Sequence, residues 1–178
     1  MAVTADAVKQ LRDLSGAGVM DCKKALDETG GDVEKAVKVL REKGIASAEK
    51  KAGRETGQGL VDSYIHAGGR IGVLVEVNCE TDFVARTDTF KNLVHDVALQ
   101  IAGIPTTLAI TEDQLPPDAE GSLEETVLMK QPFIKDSSRT IEQLVKEAIA
   151  ATSENIRIRR CVRFEVGKEP QSENLTAA

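Results

Sequence analysis

The sequence has no tryptophan, and aromatic residues make up only 3% of its 178 positions. Platforms on which nucleic-acid bases stack are hard to build from such a set. Cysteine is scarce as well. Cys22, Cys79 and Cys161 are widely separated, with no CxxC or His–Cys spacing, so neither a disulfide framework nor a zinc site is indicated, and buried free thiols are expected. No run approaches the roughly eighteen apolar residues of a membrane span, and Met1 leads straight into an amphipathic pattern, so a cytoplasmic protein is expected. Phosphate-cradling glycine motifs are missing. The two histidines, His66 and His95, stand in no Ser/His/Asp or Cys/His pattern, and Glu76, Glu80 and Asp82 have no partner at motif spacing. The expectation is a protein that is not an enzyme and that carries no cofactor and no metal.

What is present suffices for a globular fold. Hydrophobic residues make up 41% of the chain, enough for a domain of ordinary size or a small one joined to a medium one. Net charge is −6 but uneven: Met1 to Arg54 holds eleven Lys/Arg against nine Asp/Glu, and the remainder twelve against twenty. That asymmetry suggests two modules, and the acidic total disfavours broad phosphate-backbone binding.

The first module reads as three short helices. Thr4 caps one whose apolar positions Val8, Leu11 and Leu14 recur at threes, with Gly16 and Gly18 bracketing the turn. The second carries Val19, Cys22 and Leu26 and stops at Gly30-Gly31. Asp32 caps the third, which sets Val33, Ala36, Val37 and Leu40 on one face before Gly44 ends it. A polar stretch from Ala46 to Gly57 is either a helical connector or a linker, and the domain boundary is placed near Arg54.

The second module, 55–167, opens with a hairpin. Gly59 to His66 and Ile71 to Cys79 flank turn glycines, and the second strand alternates Ile71, Val73, Val75, Val77 against Gly72, Leu74, Glu76, Asn78. A helix with Phe90, Leu93, Val94, Val97, Ala98 and Ile101 on one face ends at Gly103 and Pro105. Thr106 to Gly121 reads as a surface loop, Leu123 to Met129 as a brief helix, and Ser137 or Ser138 as the cap of a helix bearing Ile141, Leu144, Val145, Ala148 and Ile149. The last strand, Ile156 to Val166, is expected to place Ile156, Ile158, Val162, Phe164 and Val166 on one face with Arg160 as an exception, and Arg157, Arg159, Cys161, Arg163 and Glu165 on the other. Residues 168–178 are expected to be a disordered tail. The fold class is α+β: three helices, then a three-stranded antiparallel sheet with helices packed on one face.

Between the hairpin and its following helix lies Asn78 to Arg86, N-C-E-T-D-F-V-A-R. Asp82 and Phe83 fall at this strand-to-helix junction, where scaffolds often hold working residues. The plainer reading is a turn cap and a core plug. The strand arginines Arg157, Arg159, Arg160 and Arg163 pair with neighbouring acids on the plainer reading and bind RNA phosphates on the other.

Three blocks in order resemble the bacterial translation elongation factor Ts family. They are Leu11-Arg12-Asp13 with Ser15 through Leu26 (S-G-A-G-V-M-D-C-K-K-A-L), Gly72 through Arg86 (G-V-L-V-E-V-N-C-E-T-D-F-V-A-R), and Gln131-Pro132-Phe133 with Arg163 through Gly167. The resemblance implies a ubiquitin-associated-like three-helix domain (1–54) followed by an α+β core that dimerises. It also implies guanine-nucleotide exchange on elongation factor Tu, with no membrane and no direct nucleic-acid contact. On that resemblance Thr81, Asp82, Phe83 and Val84 enter the GTPase near its magnesium and phosphate site. Leu11, Arg12, Gly16, Gly18, Val19 and Met20 belong to the region that holds its nucleotide-binding domain. The chain is similar to the family's single-repeat, homodimeric form, but shorter between Glu112 and Met129, and no dimer disulfide is carried onto Cys161. The alternatives are a ubiquitin-associated-type adaptor for another protein, or an RNA-binding module using the strand arginines.

Overall fold

A computed structural model describes residues 3–168 and the backbone of 175–176. Helices α1 (Ala5–Ser15), α2 (Val19–Glu28) and α3 (Val33–Glu49) open the chain, capped by Thr4, whose hydroxyl accepts from the Ala7 amide, and by Asp32, which accepts from that of Lys35. Their apolar stripes meet in a small core of Leu11, Cys22, Ala25, Leu26, Ala36 and Leu40. Leu14, predicted to share that stripe, points outward and is exposed.

Gly44 does not end α3. It is buried inside a helix that runs on to Glu49, and a Cβ there would stand 3.1 Å from the Cβ of Ala150 on α7 (Ile141–Thr152). The glycine serves close helix approach, a tertiary reason that local sequence does not reveal. Arg41 on α3 adds an ion pair to Glu147 on α7 at 3.2 Å, and Glu147 also accepts from Arg139 at 2.9 Å. The polar connector is thus helical to Glu49, and Ala48 already packs in the larger core.

That core sits on an antiparallel sheet ordered β1 (Gln58–Ile65), β2 (Ile71–Cys79), β5 (Ile156–Glu165), β6 (Leu175–Thr176), so the expected three strands gain a two-residue fourth. The rest of the expected disordered tail lies outside the described residues. Short helix α4 (Asp82–Ala85) and long helix α5 (Asp88–Gly103) follow β2, and α5 and α7 cover one sheet face, burying Val73, Val75, Val77, Phe90, Val94, Val97 and Ile149 between them. The stretch predicted as a surface loop dips inward: Thr107, Ala109 and Ile110 are buried, and Ala109 bridges Val127 after α6 (Leu123–Thr126). A small hairpin of β3 (Pro132–Phe133) and β4 (Asp136–Thr140) occupies the stretch where a serine cap was expected. The cap is Thr140, whose capping box with Gln143 is formed.

The last strand departs from strict alternation. Pairing runs Glu76 with Arg160 but Val77 with Ile158, so Arg159 is the extra residue of a β-bulge. Beyond it the faces exchange. Cys161 points into the core, while Val162 and Phe164, expected on the side of Ile158, turn to the other face. No helix among the described residues is long and apolar enough to cross a membrane.

Candidate functional site

At the end of β2 the chain leaves the sheet: the register with β1 closes at Gln58 opposite Cys79, and Thr81 begins α4 as its N-cap. Thr81 Oγ1 accepts weakly from the Val84 amide at 3.4 Å, and Thr87 repeats the device for α5 by accepting from the Phe90 amide at 3.3 Å. Between these threonines lies a single turn of helix. Val84 and Ala85 are its buried side and face the large core. Asp82 and Phe83 are its exposed side, and Phe83 is 79% exposed, the most open of the large apolar side chains in the described chain. A core plug is therefore not what Phe83 is.

Asp82 is not idle in the free chain. Its carboxylate pairs with Arg86, one turn along, at 2.8 Å. The i, i+4 spacing of an acid and an arginine is the sequence signal for this pair.

The turn is held from behind by residues seventy positions away. Glu154 Oε2 accepts from the amides of Glu80 and Thr81 at 3.1 and 3.0 Å, and Oε1 accepts from the Thr81 hydroxyl at 2.6 Å. Glu80 reciprocates: its carboxylate accepts from the Asn155 amide at 2.6 Å and from Arg54 at 3.3 Å. Those bonds, that of Asn155 first, hold the Glu80 carboxyl below the usual carboxylate range. Asn155, itself buried, donates from its side chain to the carbonyls of Ala52 and Arg54. Beneath the turn Cys79 donates to the Thr81 carbonyl at 3.1 Å, and burial followed by the nearby Glu154 charge pushes its thiol up to about 11.

The N-terminal candidates divide. Leu11 is fully buried and packs the helical module's own core, so it supports that surface without forming it. Arg12 is exposed near the end of α1, Gly16 caps that helix at φ 65°, and Gly18 precedes α2. Val19 and Met20 open α2 with their side chains in solvent, and Leu14, near the end of α1, is exposed as well.

A third surface lies on the sheet face away from the helices. Val61, Ile65, Leu74, Phe164 and Val166 are exposed there, with Leu74 opposite Val162 and Gly72 opposite Phe164 in the register. Of the strand arginines, Arg160 pairs with Glu76 at 2.6 Å, and Arg163 turns inward to Glu165 at 2.8 Å. Among the described residues no cluster of His, Cys, Asp or Glu has metal-holding geometry.

Comparison with known proteins bears on these surfaces. A family model described as "Elongation factor TS" matches residues 108–168. A protein of Cyanothece sp. named elongation factor Ts is 51% identical over 99% of this chain and 78% of its own length. One so named from Coprothermobacter proteolyticus is 50% identical over 94% of this chain and 100% of its own, and one from Synechocystis sp. 50% over 93% and 90%. The first of these alignments runs over 206 positions against 178 residues here, so the relative carries residues without a counterpart in this chain.

Proposed function

The chain belongs to the elongation factor Ts family of translation factors, and from that premise we propose that it is a guanine-nucleotide exchange factor whose Asp82–Phe83 turn opens the nucleotide site of elongation factor Tu. The observation that carries this reading is the exposure of Phe83 on a helical turn whose other side is anchored in the core. An aromatic ring held in water is a loss that binding recovers. Burying one phenylalanine is worth about 1.5–3 kcal/mol.

Exchange follows by linkage. A protein that binds the nucleotide-free GTPase more tightly than the GDP form weakens GDP by the same ratio, and couplings of roughly 1–3 kcal/mol are typical of such linked pairs. If Phe83 enters a pocket that is open only in the GDP-releasing state, its burial alone supplies energy of that size. Asp82 competes for polar groups around the partner's magnesium and phosphates. No covalent bond is made or broken, so the activity is exchange catalysis without enzyme chemistry.

The other surfaces complete the grip. Arg12, Val19 and Met20 at the α1–α2 turn hold the partner's nucleotide-binding domain, with Gly16 and Gly18 shaping the turn and Leu11 packing beneath it. The outer sheet face pairs with a second copy of the chain, because a sheet covered on one side only leaves an apolar row that a twofold mate buries. Such a protein works in the cytoplasm beside the ribosome.

The test is release of fluorescent GDP from elongation factor Tu with the wild-type chain and Phe83→Ala. The exposed ring makes no core contact, so the variant should melt with the wild type and release GDP at least about tenfold more slowly, the equivalent of 1.4 kcal/mol. Equal rates would refute the assignment. Steeply salt-dependent RNA binding by the chain would favour the arginine-strand alternative instead.

A further inference from the structure

We propose that Glu154 and Asn155, in the turn between α7 and β5, are positioning residues for the exchange reaction: they fix the angle at which the Asp82–Phe83 turn leaves the sheet. This rests on the exchange reading above.

The argument begins with the size of α4. Four residues are too few to hold a helical conformation on their own, because nucleation is not repaid within one turn. Val84 and Ala85 anchor one side by packing, but packing of two small side chains leaves rotation about the strand end open. The sheet gives no help there. Its ladder with β1 closes at Cys79, so the amides of Glu80 and Thr81 lie beyond the last rung.

Glu154 takes both of those amides on one carboxylate oxygen and the Thr81 hydroxyl on the other. Three donors on one carboxylate define a plane and a direction, which a single bond does not. Because the Thr81 hydroxyl proton is committed to Glu154, the lone pairs of Thr81 Oγ1 are left to face the Val84 amide inside the turn. The bond thus orients the cap as well as the loop.

Glu154 is itself placed by unusual backbone. Ser153, the C-cap of α7, is the described chain's one non-glycine residue at positive φ, 62°. That left-handed residue reverses the chain so that Glu154 turns back over the end of β2. Asn155 then closes the arrangement from the other side. Its amide donates to Glu80, and its side chain ties down the connector at Ala52 and Arg54. Connector, junction and α7–β5 turn meet at this clasp, so the exposed pair is presented in one orientation and loses little freedom on binding.

The test is a pair of substitutions read in two backgrounds, using the full chain, elongation factor Tu and fluorescent GDP. Glu154→Ala should lower kcat for GDP release about tenfold, as expected when a working group is displaced, with KM changed less than about threefold. Glu154→Gln should return to within about twofold of wild type. Its amide oxygen can accept from the two N–H groups, and its NH2 can donate to the Thr81 hydroxyl. In a Phe83→Ala background, Glu154→Ala should add much less, about twofold at most, since only Asp82 is left to position. Should Glu154→Ala fail to fold, Thr81→Val removes the hydroxyl link to Glu154 together with the weak cap bond to the Val84 amide, leaves the two backbone bonds, and is expected to slow release severalfold, with a much smaller effect once Phe83 is alanine.

Slowing of equal size in both backgrounds, or a foldable Glu154→Ala or Thr81→Val with full activity, overturns the proposal. If Phe83→Ala itself releases GDP at the wild-type rate, the exchange reading is what has failed. If Phe83→Ala is slow while Glu154→Ala is normal, only the positioning role is lost.

Discussion

Asp82 and Arg86 hold each other at 2.8 Å on the solvent side of α4, so the acid of the exposed pair enters any encounter already partnered. Exposed pairs of this kind contribute about 0–1 kcal/mol. Arg86→Ala should therefore leave the melting transition nearly unchanged. If Asp82 must leave Arg86 to act on elongation factor Tu, the variant should bind the nucleotide-free GTPase up to about fivefold more tightly, an effect that shrinks as salt is raised. Titration calorimetry at two ionic strengths reads both; weaker binding would mean that Arg86 touches the partner itself.

The approach of α3 to α7 leaves no room at Gly44. Alanine there would gain about 1 kcal/mol of helix propensity, but its Cβ would meet a backbone-fixed methyl, that of Ala150, at 3.1 Å. The two effects oppose each other, and Gly44→Ala should be close to neutral. Gly44→Leu has no such offset. It should destabilise by about 1–3 kcal/mol in a denaturant melt and increase the radius of gyration in small-angle scattering as the helical module lifts from α7.

Acid should loosen the clasp around Glu80. Its carboxyl lies below the ordinary value of 4.5 because the Asn155 amide and Arg54 favour the charged form. A depressed folded pKa means that the unfolded chain binds the proton more readily. The contribution is complete above about pH 5 and falls away as pH drops through 4.5 toward the folded value. Glu76, lowered first by Arg160, and Glu165, lowered first by Arg163, act in the same direction. Melting midpoints should hold from pH 8 to about 5 and then decline, and Glu80→Gln should flatten part of that decline.

On the outer sheet face, Phe164 is exposed in a single chain. Phe164→Asp should leave that chain folded and shift sedimentation equilibrium from dimer to monomer. An unchanged monomer–dimer balance would remove this face from the assembly.

Much of the architecture was legible because it follows local periodicity. The alternation of β2 and the single apolar face of α5 require nothing beyond spacing, and both strand and helix fall where expected. The junction of Asp82 and Phe83 is visible too, although only the folded chain shows which of the two candidate surroundings Phe83 has. Gly44 reads as a helix stop in the sequence because its distant neighbour Ala150 is not visible there. Thr140 is legible from its T-x-x-Q box with Gln143, although the two serines upstream of it compete for the cap assignment. Glu154 had no such signal. It meets Thr81 across more than seventy residues, and only the closed fold brings them together.

The bulge at Arg159 sets where β5 can change length and where it cannot, in a way that its composition does not suggest. Removing that one residue would take out the bulge and leave an unbroken ladder, Ile158 opposite Val77 and Arg160 opposite Glu76, with Cys161 still lining the core and Val162 still on the outer face. A deletion beyond the bulge, of Val162 for example, would instead carry Phe164 inward and turn Arg163 outward. The excursion from Thr111 to Glu125 is the opposite case. Bonds from Leu108 to Thr126 and from Leu128 to Ala109 close it at its base, and its length can vary there without the sheet being informed.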